Sequence, residues 1–134
     1  MRIVAGSRKG ARIFAPKGLD TRPTGDRVRE AVFNLLGPVD DADVLDLYAG
    51  SGAMGLEALS RGARRVTFVE SDREAAETIR RNLDKLRLEG AVVLREDAGR
   101  KLAADVVRGR RYDLVLVDPP YAMLARILPT LAAH

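Results

Sequence analysis

From residue 44 onward, short runs of apolar residues alternate with segments in which apolar residues recur every three or four positions. The short runs predict buried strands, and the wider spacing predicts helices that pack against them. The predicted strands cover residues 44–48, 66–70, 92–95 and 112–117. Strands that alternate with helices are typical of parallel sheets, so this part of the chain predicts an α/β fold made of βαβ units.

The helix between the second and third predicted strands has the strongest pattern. Ser71 and Glu74 have the spacing of a capping box at its start. Its buried stripe would consist of Ala75, Ala76, Ile79, Leu83 and Leu86. A further helix is predicted between residues 99 and 108. With the strands in the order 3-2-1-4, we expect residues 114–117 to form an edge strand.

The N-terminal part of the chain predicts a β-hairpin followed by a helix. Residues 2–5 and 11–14 have the pattern of two short strands, joined through a glycine-containing turn at residues 6–10. After a turn-rich link over residues 16–25, an amphipathic helix is predicted that ends at Gly37-Pro38. Its apolar face would hold Val28, Ala31, Val32, Leu35 and Leu36.

The composition excludes several kinds of site. The chain has 134 residues, of which 46% are hydrophobic and 31% are charged, as expected of one globular domain. It has no cysteine and a single histidine, His134, so we expect no metal site, no disulfide and no Ser-His chemistry. No segment approaches the ~20 apolar residues that span a bilayer, so we expect a cytoplasmic protein without a membrane partner.

The positive charge is concentrated at the N-terminus. The net charge is +4 and the pI is about 9.8. Residues 1–30 hold eight basic and three acidic residues, whereas residues 31–134 hold fifteen basic and sixteen acidic ones. A basic segment on a near-neutral body is typical of contact with nucleic-acid phosphates, although a solvated basic arm is the alternative. We predict a basic hairpin and linker for RNA contact over residues 1–25 and a main domain over residues 26–134.

Six basic residues are candidates for phosphate contact. They are Arg8, Lys9, Arg12, Arg22, Arg27 and Arg29. Side chains that bind phosphates hold a nucleic acid in position but carry little information about its bases. Arg27 and Arg29 could instead pair with acidic residues of their own predicted helix.

A glycine-rich loop follows the first predicted parallel strand. Residues 50–55 read Gly-Ser-Gly-Ala-Met-Gly and open a helix that contains Leu56 and Leu59. Glycines in such a loop let the backbone approach a ligand closely, which suits a dinucleotide or another adenosine-bearing cofactor. Glu70, at the end of the second strand, lies where ribose hydroxyls would need an acceptor. These features fit either class of cofactor.

Acidic residues favour S-adenosylmethionine over a dinucleotide. Asp46 lies in the strand that leads into the glycine loop, where a carboxylate would repel a pyrophosphate but attract sulfonium and amino cations. Asp97 follows the third strand and could accept a hydrogen bond from the adenine amine, or could simply cap a helix. The predicted cofactor-binding residues are Asp46, Tyr48, Ala49, Gly50, Ser51, Gly52, Glu70, Ser71, Asp97 and Ala98.

The reaction is indicated by Asp118-Pro119-Pro120-Tyr121, directly after the fourth predicted strand. Two adjacent prolines remove backbone donors and stiffen the loop, which leaves a wall of acceptors made of carbonyl oxygens and the Asp118 carboxylate. An exocyclic base amine offers two N–H donors to such a wall, and Tyr121 could lie against the base. We predict that all four residues are catalytic in methyl transfer to a base amine. The alternative is a strand followed by a proline turn.

Over essentially all its length the chain resembles the bacterial 16S rRNA guanine-N2 methyltransferases of the RsmD type. The motifs that carry the resemblance are Arg-Ile-Val-Ala-Gly at 2–6, Arg-Pro-Thr at 22–24, Asp-Arg-Val-Arg-Glu at 26–30, Leu-Asp-Leu-Tyr-Ala-Gly-Ser-Gly at 45–52, Phe-Val-Glu at 68–70 and Asp-Pro-Pro-Tyr at 118–121. The pairing of the second motif with the third is the specific part. The resemblance implies a Rossmann-like S-adenosylmethionine-dependent methyltransferase fold. It also implies methylation of a guanine in 16S rRNA during small-subunit assembly.

Two alternatives stay open at this point. An N6-adenine methyltransferase acting on DNA or RNA would present the same kind of amine to Asp-Pro-Pro-Tyr. A non-catalytic RNA-binding assembly factor could keep the same fold. Proteins that look like this chain usually continue with further strands, so we expect a sheet that is incomplete at its C-terminal end. We expect a monomer whose partner is 16S rRNA within an assembling small ribosomal subunit.

Overall fold

The chain forms an α/β fold around one five-stranded sheet. This computed structural model describes residues 1–15, 23–117 and 124–126. The elements are α1 (Pro23–Leu36), β1 (Asp43–Leu47), α2 (Ala53–Ser60), β2 (Arg65–Val69), α3 (Arg73–Leu86), β3 (Ala91–Leu94), α4 (Ala98–Arg108), β4 (Leu114–Val117) and β5 (Leu124–Arg126). The strand order is β3-β2-β1-β4-β5, and the first four strands are parallel. The predicted Rossmann-like α/β fold with a parallel sheet and flanking helices is therefore confirmed.

One expectation about the sheet is wrong. β4 was expected at the edge, but β5 pairs with it in the antiparallel direction, with Leu116 opposite Ala125. The short length of β5 and its position beyond two prolines hide it from a search for apolar runs. Pairing with β5 satisfies backbone groups of β4 that would otherwise be exposed.

Each face of the sheet has its own apolar core. On one face, side chains from the N-terminal hairpin, α1, α2 and α3 pack together, as in the contacts of Ile3, Phe33 and Ile79 with the strands. On the other face α4 packs over β1 and β4 through Ala98 and its neighbours. All five residues of β1 are buried, which is typical of a central strand in a parallel sheet covered by helices on both faces.

The predicted N-terminal hairpin is present, but its regular pairing is short. A single antiparallel bridge joins Arg2 and Arg12, and the Ile3 N–H donates to the Ala11 carbonyl at 2.9 Å. Ile3 and Ile13 are buried in the core beside α2 and α3. The hairpin is therefore anchored on the domain by its apolar residues, and its polar turn is left at the surface.

Helix α1 presents a different face to the core than predicted. Arg29 is 2% exposed and lies beside buried Val32 and Phe33, whereas Val28 is 53% and Leu35 is 89% exposed. An apolar face containing Val28 and Leu35 is therefore wrong. The reason is an ion-pair partner for Arg29 beneath the helix, which a hydrophobicity pattern does not reveal. α1 begins at Pro23, earlier than predicted, and the division into residues 1–25 and 26–134 stays a prediction.

The start of α3 also differs from the prediction. Its N-cap is Asp72, whose Oδ2 accepts a hydrogen bond from the Ala75 N–H at 2.9 Å. The N-cap therefore lies one residue after the predicted Ser71, because the extended backbone before α3 places Asp72 at the cap, and Ala75 at the third helical position cannot complete a capping box. The predicted stripe of α3 is otherwise recovered, with Ala75, Ala76 and Ile79 buried.

A buried carboxylate on α2 joins the hairpin to two helices. Glu57 Oε1 accepts hydrogen bonds from the Val4 N–H at 2.9 Å and from Arg29 Nε at 3.1 Å. Its Oε2 accepts from the Ala5 N–H at 3.0 Å and from Arg61 Nε at 2.8 Å. Two cations and two backbone donors thus surround one carboxylate, which offsets the cost of burying its charge. Glu57 was not among the residues predicted from the sequence, although an acidic residue within an otherwise apolar helix is a visible signal.

Candidate functional site

The carboxyl ends of the parallel strands meet at one edge of the sheet. Leu47 of β1 lies opposite Val69 of β2 and Val117 of β4, and Val69 lies opposite Leu94 of β3. Ligands of open α/β sheets bind at this edge, where the strand order reverses. The predicted cofactor residues all lie on or directly after these strands. The Asp118-Pro119-Pro120-Tyr121 motif begins immediately after Val117 in the sequence, and it lies outside the described residues.

Glu70 holds the glycine loop against the end of β2. Its Oε1 accepts a hydrogen bond from the Gly50 N–H at 2.8 Å, and its Oε2 accepts from the Asp72 N–H at 2.9 Å. The Ala49 N–H donates to the Val69 carbonyl at 3.1 Å and fixes the same turn. A carboxylate has about four acceptor positions, so Glu70 can hold the loop and still accept from ribose hydroxyls.

Asp46 lies behind the loop. Its side chain is fully buried, and Oδ2 accepts a hydrogen bond from the Gly55 N–H at 3.0 Å. A Cβ on residue 55 would lie only 2.3 Å from the Phe68 ring, so glycine is required for α2 to start this close to the sheet. Asp46 therefore helps to place the glycine loop, and its buried side chain does not form part of the exposed surface of the site.

Tyr48 and Gly50 form the exposed part of the loop. Tyr48 has a φ of 56°, a left-handed conformation that is uncommon for a large side chain, and it is 52% exposed. Gly50 has a φ of 58°, and a Cβ built there would meet no atom within 4 Å. The loop thus presents an aromatic ring and an open stretch of backbone at the ligand-binding edge. Strained residues of this kind cluster at functional sites.

The third predicted acidic residue has a structural role as well. Asp97 caps α4, because its Oδ2 accepts a hydrogen bond from the Arg100 N–H at 2.9 Å. This is the helix-cap role that the sequence left open, and it leaves acceptor capacity on the other carboxylate oxygen. Ala98 is buried in the first turn of α4, whereas Ser71 is exposed beside Glu70.

The charged side chains near this edge fit S-adenosylmethionine better than a phosphate-bearing cofactor. Residues 48–55 contain no lysine or arginine that could neutralise a pyrophosphate. Acidic side chains instead lie in β1 (Asp46), directly after β2 (Glu70) and after β3 (Asp97). A sulfonium and an amino cation are stabilised by such charges, and ribose hydroxyls need acceptors. In the described residues no group of histidine and acidic side chains has the arrangement of a metal site.

Asn82 is a second residue that sequence analysis missed. It lies fully buried on α3, and its Nδ2 donates to the Phe14 carbonyl at 3.0 Å and to the Ser51 carbonyl at 3.3 Å. Its Oδ1 accepts from the Phe14 N–H at 2.7 Å. One side chain therefore joins the end of the hairpin to the glycine loop. A polar residue at a core position of α3 was the available signal.

The predicted RNA-binding residues have different environments. Arg29 is buried, with Nε on Glu57 and Nη2 at 2.8 Å from Asp26, so we correct its assignment to RNA contact. The guanidinium of Arg8 donates to backbone carbonyls at the end of α3. Lys9, Arg12 and Arg27 are exposed, and Arg22 lies outside the described residues.

Comparison with known proteins identifies the family. The sequence model of the family described as conserved hypothetical protein 95 matches residues 1–133. Ribosomal RNA small subunit methyltransferase D of Escherichia coli (strain K12) is 43% identical over 122 residues, which cover 90% of this chain and 60% of that protein. The chain spans about 60–67% of the length of the curated relatives at 38–46% identity.

Solved structures support the same relationship. The structure of the Escherichia coli protein yhhF matches with a TM-score of 0.77 and 40% identity, covering 98% of this chain and 69% of that one. A structure described as the SAM dependent methyltransferase from Agrobacterium tumefaciens matches with a TM-score of 0.55 and 29% identity, covering 70% of this chain and 29% of that one. The similarity to the ribosomal RNA small subunit methyltransferase D proteins confirms the family resemblance predicted from the sequence. The chain therefore belongs to the family described as conserved hypothetical protein 95.

Proposed function

We propose that this protein transfers a methyl group from S-adenosylmethionine to the exocyclic N2 amine of a guanine in 16S rRNA during small-subunit assembly. The observation that carries the proposal is the glycine loop at the carboxyl edge of the sheet, held by Glu70 and free of lysine and arginine. The names of the relatives support rRNA as the substrate class. The choice of guanine N2 rests on the resemblance and on the motif that follows β4.

The residues of the loop would hold the cofactor by shape and charge. Gly50 and Gly52 would let the backbone approach the methionine part closely, while Glu70 would accept hydrogen bonds from the ribose hydroxyls. Tyr48, Ala49 and Ser51 line the same turn. Asp97, Ala98 and Ser71 would hold the adenine end. When bound, S-adenosylmethionine supplies a methyl group that is already activated by the sulfonium, so the protein needs neither a metal nor a strong base.

Asp118, Pro119, Pro120 and Tyr121 would act on the target base. The lone pair of a guanine amine is delocalised into the ring, which makes the nitrogen a weak nucleophile. Acceptance of its two hydrogens by the Asp118 carboxylate and the Pro119 carbonyl would direct the lone pair toward the methyl group. Asp118 would also take up the amine proton that is released when the N–C bond forms and the S–C bond breaks. Tyr121 would stack on the unstacked base.

The proposal is tested by transfer of labelled methyl groups to small ribosomal subunits and to naked 16S rRNA, followed by nucleoside analysis. We expect labelled N2-methylguanosine. Labelled N6-methyladenosine would assign the protein to the adenine-modifying alternative. Retention of rRNA binding without methyl transfer or cofactor binding would favour the assembly-factor alternative.

Asp118→Ala tests the roles given to the motif. We expect a loss of methyl transfer of roughly 10²-fold or more, because one preorganised polar group at the reacting centre is removed. Binding of S-adenosylmethionine, measured by calorimetry, should be nearly unchanged. Asp118→Asn is the matched control, because it keeps one acceptor oxygen and should retain more activity than the alanine variant. Near-normal turnover by Asp118→Ala would exclude this mechanism.

A further inference from the structure

Two exposed cations on α3 continue the basic surface of the hairpin. The Arg81 guanidinium lies 4.4 Å from the centroid of the Phe14 ring, and Lys85 Nζ lies 4.7 Å from the same centroid. Lys85 Nζ also donates a hydrogen bond to the Arg12 carbonyl at 2.8 Å. Phe14, which is 38% exposed, thus holds one side of both cations and leaves them at the surface. The hairpin and α3 share one cationic face.

A reciprocal contact joins the other end of the hairpin to α3. The Arg8 guanidinium donates to the carbonyl of Leu86, and its Nη2 donates to the Arg87 carbonyl at 3.0 Å. A cation of the hairpin therefore satisfies the C-terminus of α3, while a cation of α3 satisfies a carbonyl of the hairpin. These contacts hold the two basic elements in a fixed relative position.

The cations of this face form no ion pair in the part of the chain that the structure describes. The basic face consists of Arg8, Lys9, Arg12, Arg81, Lys85 and Arg87. None of the six takes part in the ion pairs found among the described residues. Other cations of the domain do pair, as Arg80 does with Glu77 on the same helix. Like charges held side by side oppose folding, and a polyanion that binds across them relieves the repulsion.

The helix that carries Arg81 and Lys85 also contacts the candidate site. Asn82 lies between Arg81 and Lys85 in the sequence but points inward, where it binds Phe14 and the Ser51 carbonyl of the glycine loop. A strand of RNA that contacts Arg81 and Lys85 would therefore lie on an element that directly supports the cofactor loop.

We propose that Arg81 and Lys85 of α3 bind rRNA phosphates and, together with Lys9 and Arg12, form one continuous RNA-binding surface. This inference rests on the proposed function, because it takes the polyanion to be the methyltransferase's own rRNA substrate. It extends the RNA surface beyond the hairpin, onto a helix that sequence analysis assigned only to the core.

The test is the salt dependence of RNA binding by the double variant Arg81→Gln/Lys85→Gln. Loss of two phosphate contacts should make the negative slope of log K against log salt less steep by about 1.4 for single-stranded RNA. This change corresponds to roughly a tenfold loss of affinity near 0.15 M salt. Binding is measured with a 16S rRNA fragment by fluorescence anisotropy at several salt concentrations. Cofactor affinity and thermal unfolding are measured on the same samples, and both should stay close to those of the parent protein.

Matched variants separate a specific contact from a general loss of charge. Arg80→Gln/Arg108→Gln removes the same charge from outside the basic face and should leave the slope nearly unchanged. Arg80 is paired with Glu77, and Arg108 ends the helix on the opposite face of the sheet. Arg81→Lys/Lys85→Arg keeps both charges and should keep the slope. An unchanged slope for Arg81→Gln/Lys85→Gln, or an equal loss in the Arg80→Gln/Arg108→Gln variant, would overturn the inference.

The outcome for α3 is distinguishable from the outcome for the proposed function. If the parent protein methylates rRNA while the α3 variant keeps the parent slope, the α3 surface is refuted and the proposed function stands. If the parent protein methylates no RNA but the α3 variant loses slope as expected, the RNA surface stands and the enzymatic proposal fails.

Discussion

Tyr48 of the candidate site has a backbone conformation that is unfavourable for its own side chain. Its φ of 56° is unfavourable for a bulky L-residue, at a cost of roughly 1–2 kcal/mol relative to the right-handed region. Its ring is half-exposed, so little burial offsets that cost. A residue that is retained in a strained and exposed conformation is expected to act on a ligand, here the cofactor that we propose.

Tyr48→Asn separates the strain from the ligand contact. Asparagine tolerates the left-handed region, so the free energy of unfolding should stay the same or rise by up to about 1 kcal/mol. Affinity for S-adenosylmethionine should fall roughly threefold to tenfold, because an aromatic contact is lost. Calorimetric titration and urea unfolding measure the two quantities. Tyr48→Phe keeps the ring and serves as the control. Parent-like affinity in the asparagine variant would remove Tyr48 from the site.

At the scale of elements, the contact between α4 and the start of β4 depends on a buried polar pair. The Tyr112 hydroxyl donates to Asp105 Oδ2 at 2.6 Å, and Lys101 Nζ donates to Asp105 Oδ1 at 2.7 Å. Burial of the phenol, together with the hydrogen bond to Asp105 and its negative charge, raises the pKa of Tyr112 well above the usual value near 10. The neutral phenol is therefore favoured by the folded state.

This shift gives a pH dependence with a definite sign. Because the folded-state pKa is above the unfolded one, Tyr112 contributes stability that is complete below about pH 10 and decreases as the pH rises beyond it. Tyr112→Phe should lower the free energy of unfolding at pH 7 by about 1.5–3 kcal/mol, since a hydrogen bond to a buried carboxylate is lost. It should also reduce the decrease in stability between pH 10 and 11. Urea unfolding at pH 7, 10 and 11 is the measurement, with Tyr48→Phe as the control at an exposed tyrosine. A parent-like alkaline decrease in Tyr112→Phe would contradict this role.

The elements differ in how far the sequence predicts them, and the reason is physical. β1, β2 and β3 were placed within one residue of their observed ends, because continuous apolar runs report burial directly. α3 was predicted because its apolar residues recur at helical spacing and face the core. The face of α1 was misplaced, because Arg29 is buried by an ion pair that no periodicity encodes. β5 is three residues long, and its pairing depends on the tertiary position of β4.

For the candidate site, the sequence predicts composition better than geometry. The glycine loop and Glu70 were predicted because backbone approach and an acceptor at a strand end follow from motif and position. The supporting contacts of Asp46 and Asn82 were not predictable, since each depends on the distance between elements that are far apart in sequence.

At the scale of the whole molecule, Glu57 is the point at which the N-terminal hairpin, α1 and α2 are joined. Its carboxylate is fully buried and accepts from two backbone N–H groups and two arginines. Removal of one partner from such a group leaves other charges buried without compensation. The contact therefore adds to the apolar packing that holds the hairpin and α1 on the domain.

Glu57→Gln should lower the free energy of unfolding by about 3–5 kcal/mol, because Arg29 loses its buried anion and one of the two acceptor oxygens becomes a donor. Chemical denaturation followed by circular dichroism is the measurement. Glu77→Gln removes an exposed partner of Arg80 and should change stability by less than about 0.5 kcal/mol. A loss below about 1 kcal/mol in Glu57→Gln would show that the network contributes little to cohesion.

The contacts of Glu57 also have a consequence for the order in which the protein is made. Val4 and its partner Glu57 are separated by 53 residues, so the hairpin cannot dock until α2 has been synthesised. At ~5–20 residues per second, this delay is roughly 3–11 s. During that time the nascent chain carries an undocked basic segment in the presence of cellular RNA. The hairpin is therefore synthesised well before the buried carboxylate that fixes its position on the domain.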